Sequence, residues 1–288
     1  MKYLWGVLVF VILAGGVYGA CSQKLKLQYY TEGTSKVTEP VRLAVLTDLH
    51  STLYGRGQEE LVQMLSLQKP DAVLLVGDIA DHKVSHQGTQ MLLAAIGHEY
   101  PCFYVSGNHE YWSGEVEAIK QMIDSYGVTI LEGEKETLEV KGQKIQICGV
   151  DDPSGFAVYA SSDGQKGGWE RQFRDCQDSL EKEQYSVLMS HRPELTDFYT
   201  DSEFDLVVAG HAHGGQVRIP WLLNGLFAPG QGLFPSYAGG QYALGQTSMI
   251  VSRGLCRNKL PRIFNRPELV VVDVLPEIKE QQEVFHVY

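Results

Sequence analysis

The chain of 288 residues has 24 lysines and arginines against 35 aspartates and glutamates, a formal net charge of −11, and 44% of its residues are hydrophobic. This composition is ordinary for a globular protein with a sizeable core, and the acidic balance argues against a nucleic-acid partner, because phosphate backbones bind to basic faces. The five cysteines form no Cys-x-x-Cys pair, which argues against a disulfide scaffold and a zinc–thiolate site. No protein partner is evident from the sequence.

The first predicted element is an apolar segment at the N-terminus. Residues 3–20 contain no charged side chain, and a run of this length is just long enough to span a bilayer. We therefore predict a transmembrane or signal segment over residues 1–23, which attaches the protein to the membrane through residues 3–20. A cleaved signal peptide is the alternative, and Cys21 after the sequence YGA hints at lipoprotein processing.

The lysines around this segment indicate on which side of the membrane the folded domain lies. Lys24, Lys26 and Lys36 follow the apolar run and only Lys2 precedes it, which under the positive-inside rule would keep the following domain in the cytoplasm. A short Met-Lys start before an apolar segment is instead typical of exported proteins. We predict a location at the cell membrane, with the folded domain on the extracytoplasmic face.

Residues 24–39 are polar and predict a tether that ends at Pro40. Residues 40–288 show no break in composition and are predicted to form one α/β domain. Apolar strands alternate there with helical spacing in β-α-β-α-β order, which is typical of parallel strands buried on both faces. The first series of strands and helices is VRLAVLTD, GQEELVQMLSLQ, DAVLLVGD, TQMLLAAIGHEY, CFYVSGNHE and EVEAIKQMIDSYG. The second series is the hairpin TLEVKGQKIQICGVDD and the strands SVLMSH, DLVVAGH, SMIVSRG and ELVVVDV.

Polar side chains collect where five of the predicted strands end. In open α/β sheets ligands bind just beyond the carboxyl ends of the strands, so we expect these side chains to converge. Carboxylate, imidazole and amide groups together suit Mn, Fe, Zn or similar divalent ions. Seven such groups are too many for one ion and about right for two ions that share a bridging carboxylate. They are Asp48, His50, Asp78, Asn108, His191, His211 and His213.

Each of these residues also has an interpretation that needs no metal. Asp48 is suited to capping a helix, and a lone histidine such as His191 is more often structural than a ligand. His211 and His213 would point to opposite faces of a strand unless the chain has already bent, which the neighbouring glycines permit. The recurrence at five strand ends is what favours a common site.

The order of these blocks resembles the calcineurin-like metallophosphoesterases. The motifs are Asp-x-His, Gly-Asp-x-x-Asp, Gly-Asn-His-Glu, a lone His after a strand and Gly-His-x-His, and the resemblance covers residues 41 to 275. The stretches SHRPE, GHAHGGQVRIP and LFAPGQGLFPSY resemble more narrowly the bacterial YkuE/YaeI-type phosphodiesterases. The resemblance implies a four-layer α/β/β/α sandwich, two divalent metal ions at the strand ends and a phosphoester substrate. Glu110 departs from the many family members that have Asp after this histidine.

The resemblance also implies a role for each residue. His109 would act as general acid to the leaving oxygen or contact a phosphoryl oxygen. Asp81 and Glu110 are candidates for supporting the site from outside the ligand set. Arg192 and Arg253 are candidate phosphate contacts, with surface or ion-pair roles as the alternative. One metal would be held by Asp48, His50 and His213, the other by Asn108, His191 and His211, and Asp78 would bridge the two.

We therefore predict a dinuclear-metal-dependent phosphodiesterase or phosphatase in which a metal-bridging hydroxide attacks phosphorus. A catalytically silent metal-binding or scaffold protein at the membrane is one alternative, and a metal-dependent hydrolase of another ester or amide is a second. The complete ligand set and His109 weigh against the silent protein. The apolar loop from Ile219 to Tyr242 either packs across the sheet end or forms a rim for a lipid-like or membrane-associated substrate.

Overall fold

The computed structural model describes residues 5, 16, 18–157, 168–257 and 262–277. Most of the predicted N-terminal segment, residues 3–20, lies outside these ranges, so its attachment to a membrane stays a prediction. Within the described ranges, none of the helices combines the length and the apolar character that crossing a bilayer requires.

The described residues form strands and α-helices that largely follow the predicted alternation. Each strand of the first series is an apolar run, and every residue of Ala72–Val76 is buried. The strands are β1 Lys26–Thr34, β2 Val41–Leu46, β3 Ala72–Val76, β4 Cys102–Val105, β5 Thr129–Ile130, β6 Lys135–Val140, β7 Gln143–Gly149, β8 Tyr185–Met189, β9 Leu206–Ala209, β10 Phe227–Ala228, β11 Gly232–Leu233, β12 Gly240–Leu244, β13 Thr247–Val251 and β14 Glu268–Pro276. The α-helices are α1 Glu59–Gln68, α2 Gln87–Ile96, α3 Asn108–Trp112, α4 Val116–Asp124, α5 Ser154–Ala157, α6 Gly168–Asp178 and α7 Thr196–Tyr199.

The long strands build two six-stranded sheets. The first has the order β1-β14-β2-β3-β4-β5, and its strands β2 to β5 are parallel, as the β-α-β order predicts. The second has the order β12-β13-β9-β8-β7-β6, with β7, β8, β9 and β13 parallel and an antiparallel strand at each edge. Strands β10 and β11 pair in a separate hairpin.

Three apolar clusters separate the layers of the molecule. The central cluster joins the inner faces of the two sheets, for example Val45 and Leu74 with Val187 and Val208. A second cluster packs α1, α2 and α4 on the outer face of the first sheet, and a third packs α6 on the outer face of the second sheet. The layers therefore run helices, sheet, sheet, helices, which is the mixed α/β architecture that the resemblance implies.

Residues 26–34, which the sequence analysis assigned to a polar tether over 24–39, form strand β1. This strand pairs in parallel with β14 over nine residues, from Lys26 with Glu268 to Thr34 with Pro276. The tether assignment is wrong for these residues because β1 is an edge strand with a partly exposed face, so its sequence KLQYYTEGT lacks the apolar run of a central strand. The domain consequently begins before Val41.

The carboxyl ends of β2, β3, β4, β8 and β9 meet at one edge of the two packed sheets. Loops from both sheets converge there, since atoms of Asp78, which follows β3, lie close to atoms of His191 and His211, which follow β8 and β9. The strand predicted over CFYVSGNHE ends earlier than expected. Strand β4 ends at Val105, and Asn108 begins the short helix α3.

Candidate metal centre

The loops that carry the predicted ligands have an unusual backbone conformation. Asp48, His50, Asp78, His211 and His213 have positive φ angles between 47° and 64°. A residue other than glycine in this left-handed region is strained by about 1–3 kcal/mol. Such strain is found where a site holds groups in a required position. The bends also allow His211 and His213 to face the same site, because the chain has left strand β9 before either residue.

Two glycines make room for Asp78. Gly77 has a φ of 75°, and a Cβ atom built on it would lie 2.4 Å from Nδ1 of His191. A Cβ on Gly107 would lie 2.3 Å from Oδ1 of Asp78. Both distances are far below a van der Waals contact, so the close approach of the β3, β4 and β8 loops requires residues without a side chain at these two positions.

The ligand-type atoms fall into two groups that share Asp78. In each group the atoms lie within 4.8 Å of one another. Oδ2 of Asp78 is 3.6 Å from Nε2 of His50 and 3.2 Å from Nε2 of His191, and Oδ1 of Asp48 is 3.7 Å from Nε2 of His213. The first group is Asp48, His50, Asp78 and His213, and the second is Asp78, His191 and His211.

Several buried atoms of the predicted ligands lack a hydrogen-bond partner in the described part of the chain. They are Nε2 of His50, Oδ2 of Asp78, Oδ1 of Asn108 and Nε2 of His191. A buried polar atom without a partner is costly, so a cluster of four indicates a missing ligand. Nδ1 of His191 lies 2.9 Å from the carbonyl oxygen of Val76, and an N–H donated there aims Nε2, whose proton a bound metal would displace, at Asp78. Carboxylate, imidazole and amide oxygen suit divalent cations, and the residues therefore fit the predicted metals.

The electrostatics of the site reflect concentrated negative charge on Asp48 and Asp78. Burial opposes protonation of His191, but the Asp78 carboxylate outweighs it and raises the pKa of His191 to about 10. Burial lowers the pKa of His213 to about 4, although Asp48 opposes that shift. Burial, together with the charges of His191 and Arg192, moves the pKa of His211 far below its ordinary value. His211 and His213 are therefore neutral near pH 7, the form in which an imidazole binds a metal.

Asp81 joins the ligand His50 to His109. Its Oδ2 atom lies 3.1 Å from Nδ1 of His50 and 3.2 Å from Nδ1 of His109. An Nδ1–H donated to Asp81 fixes the tautomer of each ring and leaves each Nε2 free for a metal or a substrate. The two rings meet edge to face with centroids 4.3 Å apart. This geometry agrees with the predicted supporting role of Asp81.

Glu110 supports the site through the backbone. Its buried carboxylate accepts hydrogen bonds from the N–H groups of Asp78 at 3.0 Å, Ala80 at 3.0 Å and Gly107 at 2.9 Å. These bonds tie the loop after β3 to the start of α3. Burial and the neighbouring Asp78 charge raise the pKa of Glu110 to about 7. Glu110 thus holds Asp78 in place, whereas the carboxylate beside the ring of His109 belongs to Asp81.

The two predicted phosphate contacts lie in different places. Arg192 donates to Nε2 of His211 at 3.0 Å and makes a two-point ion pair with Asp152 at 2.6 and 3.0 Å. Arg192 therefore contacts a predicted ligand directly. Arg253 pairs instead with Glu268, at 3.4 Å, and lines a separate cavity. Whether either residue contacts a phosphate stays a prediction.

A cavity of about 650 Å³ opens on one side of the cluster. His50, His109 and His213 form its inner wall. Its outer wall includes two basic residues, Lys83 and Arg257. It also includes two exposed apolar residues, Leu53 and Val84.

Comparison with known proteins identifies the family. A sequence model of the calcineurin-like phosphoesterases matches residues 41–215, more than half of the chain, and that range contains all seven predicted ligands. The chain belongs to this family. It is therefore a phosphoesterase, and the family typically binds divalent metals, in agreement with the paired ligand groups.

Relatives of this phosphoesterase cover nearly the whole chain. The uncharacterized metallophosphoesterase YkuE of Bacillus subtilis is 27% identical over 286 residues, which span 94% of each chain. Phosphodiesterase YaeI of Escherichia coli is 24% identical over 82% of this chain and 83% of its own. These matches confirm the predicted resemblance to the YkuE/YaeI-type proteins.

Among solved structures, the Haemophilus influenzae NAD nucleotidase NadN superposes with a TM-score of 0.52 and 16% identity. The match covers 75% of this chain and 45% of the NadN chain. At this identity the likeness concerns the fold alone.

Three residues beside the phosphoesterase site were not predicted from the sequence. Nδ1 of His82 lies 3.0 Å from Nδ1 of His109, and Sγ of Cys256 lies 3.0 Å from Nδ1 of His213. Asp152 holds Arg192 against His211. Asp152 follows strand β7, so the strand-end rule that selected the ligands could have found it. His82 directly follows Asp81, whereas nothing in the sequence around Cys256 indicates its position.

Proposed function

We propose that this phosphoesterase is a dinuclear-metal-dependent phosphodiesterase. The observation that carries the proposal is that two groups of ligand-type atoms share Asp78 and contain buried polar atoms without a protein partner. Two cations at such a site would lower the pKa of a water molecule and share the negative charge of the phosphoryl group. The proposed ligands of one metal are Asp48, His50 and His213, those of the other are Asn108, His191 and His211, and Asp78 serves both.

His109 is the proposed general acid. It adjoins the ligand Asn108, and its backbone N–H donates to Oδ1 of Asp78 at 2.8 Å, which ties its position to the shared carboxylate. Asp81 accepts from Nδ1, so in the doubly protonated ring Nε2–H is the group that would pass a proton to the leaving oxygen. The ring also lines the 650 Å³ cavity, where the leaving group would have to lie.

A diester is the proposed substrate class because of the outer wall of the cavity. Lys83 and Arg257 supply positive charge for a phosphate, while Leu53 and Val84 offer an apolar surface to a second ester group. The relative YaeI is named as a phosphodiesterase, which supports the same choice. Arg192 is proposed to position His211 and, through it, the second metal.

We further propose that the enzyme works at the cell membrane. The uncharged residues 3–20 would attach it, and the catalytic domain would lie on the extracytoplasmic face. A lipid-like or membrane-associated phosphodiester is the corresponding substrate. A silent scaffold is not favoured, because the ligand groups and His109 are complete and the chain belongs to an enzyme family.

A substrate panel tests this function. The full-length protein, loaded separately with Mn, Fe or Zn, is offered an aryl phosphodiester, an aryl phosphomonoester, cyclic nucleotides, phospholipids, and a carboxylic ester and an amide. We expect metal-dependent hydrolysis with a higher kcat/KM for the diester than for the monoester. A preference for the monoester would reject the diesterase, and activity on only the carboxylic ester or amide would reject phosphoryl chemistry.

A further inference from the structure

The loops around the metal centre expose a group of large apolar side chains, which we call the apolar surface. It consists of Ile219, Trp221, Leu222, Phe234 and Phe264. Trp221 is fully exposed, Leu222 is 80% exposed and Phe234 is 68% exposed. Soluble proteins rarely expose contiguous apolar patches, and such patches mark interaction sites.

Contacts between the loops hold this surface together. Ile219 bridges to Leu223, and Ile219, Trp221, Leu222 and Phe264 all line one cavity of about 440 Å³. The N–H of Phe234 donates to the carbonyl of Leu226 at 2.8 Å. The N–H of Arg218 donates to the carbonyl of Ile263 at 2.9 Å, so the loop that carries Trp221 and Phe234 is bonded to the chain that carries Phe264.

The backbone presents three of these rings at a cost. Trp221, Phe234 and Phe264 have φ angles of 63°, 56° and 49°. A bulky residue in this left-handed region is an outlier, and glycine or asparagine would occupy it with less strain. Strain of this kind is typical of functional positions rather than of a loop that only closes a sheet.

The apolar surface lies at the same edge of the sheets as the metal centre. Residues 219–234 connect the carboxyl end of β9 to β12, whose first residue, Gly240, pairs with Val251 at the carboxyl end of β13. Phe264 lies between the end of β13 and the start of β14. Since β13 and β9 are parallel, both loops emerge where the ligand loops emerge.

The chain that leads back to the N-terminus reaches this edge as well. Strand β1 is parallel to β14, and β14 is antiparallel to β2, so Lys26 at the start of β1 lies at the carboxyl edge of β2. The carbonyl of Ala20 accepts a hydrogen bond from the N–H of Phe264 at 2.7 Å. The uncharged sequence 3–17 therefore precedes a point that is bonded directly to the apolar surface.

Basic residues surround the same surface in an otherwise acidic protein. Arg218 lines the 440 Å³ cavity together with Trp221 and Leu222, whereas Arg253, which also lines it, is paired with Glu268. Arg266 donates to the carbonyl of Lys24, and Lys24 itself is exposed. Exposed aromatic and aliphatic side chains with arginine and lysine beside them match the acyl chains and phosphates of a lipid surface.

We infer that the apolar surface inserts into a lipid bilayer, with Trp221 and Leu222 leading, so that the edge bearing the metal centre faces the membrane. The docking itself is independent of catalysis, whereas its use in presenting a membrane-bound substrate to the cavity rests on the proposed function. The bilayer is the occupant because Ala20, to which the apolar N-terminal sequence leads, is bonded to Phe264, and because Arg218, Arg266 and Lys24 lie beside the surface. A second copy of the chain, or the chain's own residues 3–17, could also cover the apolar side chains. Neither of these occupants would give the neighbouring basic residues a role.

Tryptophan fluorescence of the full-length protein tests the docking without any substrate. The chain has four tryptophans, of which Trp5 lies in the apolar N-terminal sequence, so the measurement uses a Trp5→Phe background. The protein is mixed with vesicles of phosphatidylethanolamine and phosphatidylglycerol whose acyl chains are either brominated or unmodified. We expect bromine to quench the emission of Trp5→Phe, and vesicle binding to shift that emission to shorter wavelength. The quenching should be lost when Trp221→Phe is added and retained when Trp112→Phe is added instead.

Two outcomes would overturn the inference. Equal emission in brominated and unmodified vesicles would show that Trp221 does not reach the acyl chains. Self-association that disappears in a Trp221→Ser/Phe234→Ser variant, without quenching in vesicles, would assign the surface to a second copy. The variant Leu67→Ser, which removes a 71% exposed leucine near the end of α1, is the matched control for both substitutions. None of these outcomes depends on whether the protein hydrolyses a phosphodiester.

Discussion

The Oδ2 atom of Asp81 lies 3.2 Å from Nδ1 of His109, on the side of the imidazole away from its other nitrogen. The same oxygen lies 3.1 Å from Nδ1 of His50. One carboxylate thus orients a proposed metal ligand and a proposed acid at once. The proposed metal-binding role of His50 and the proposed acid role of His109 can be tested separately, because each histidine can be changed while Asp81 is kept.

His109→Ala tests the proposed acid. The variant should keep its metals and lose phosphodiesterase activity by about 10²–10⁴-fold, the usual contribution of a general acid. The loss should shrink for diesters with an acidic leaving group, which needs little protonation. The measurement is kcat across a series of aryl diesters, with metal content determined in parallel. An equal loss for good and poor leaving groups would assign His109 to binding or charge stabilisation.

Asp81→Ala should weaken both rings without removing either. We expect a loss of about 10–100-fold in activity or metal affinity, which is typical of a residue that orients a ligand. The dependence on leaving group should become steeper than in the wild type, because His109 would be less well positioned. Asp81→Asn keeps an oxygen acceptor and should recover part of the activity. Rates that fall by the same factor for every leaving group would show that Asp81 orients His50 but not His109.

Glu110→Gln should destabilise the fold around Asp78. Glutamine offers one oxygen where the Glu110 carboxylate uses both to accept three backbone N–H bonds. Leaving buried donors without an acceptor costs about 1–3 kcal/mol. The free energy of unfolding from urea titration measures the loss, and Glu117→Gln, the same change at an exposed residue of the next helix, is the control. A Glu110→Gln protein as stable as Glu117→Gln would remove the structural role.

Strand β1 makes the start of the domain testable. A protein beginning at Gln23 keeps β1, whereas one beginning at Glu39 loses it and exposes the edge of β14. We expect the shorter protein to aggregate or to melt at least about 5 °C lower, since 1 kcal/mol moves Tm by about 2–4 °C in a domain of this size. Thermal unfolding of the two proteins measures the difference. Equal melting temperatures would restore the tether interpretation.

The convergence of the candidate ligands was predictable because most of them come at or just after the end of an apolar strand, and parallel strands bring their carboxyl ends to one edge. Asp48, Asp78 and His191 are of this kind, and the structure brings them together. Strand β1 was missed because the pattern of an edge strand is half polar and resembles a tether. The contact between Cys256 and His213 depends on how the chain after β13 folds back, which no local pattern encodes.

Glu110 shows a different limit of sequence reasoning. Its position after His109 indicated a supporting carboxylate, but not the group that it supports. In the structure its longer side chain reaches three backbone N–H groups, and Asp81 supports His109 instead. Spacing along the chain singled out both carboxylates as candidates, whereas the assignment of each carboxylate to its partner required the three-dimensional positions of the loops.

The most direct test of the account is the metal content of the protein with and without Asp78. Elemental analysis of full-length protein, saturated with a single divalent metal and freed of excess, should give two ions per chain. Asp78→Ala should lose both, because its carboxylate serves both groups, whereas Asn108→Ala should weaken only one. A wild-type content that stays near one ion per chain, or an Asp78→Ala protein that still holds two, would contradict the shared-carboxylate site.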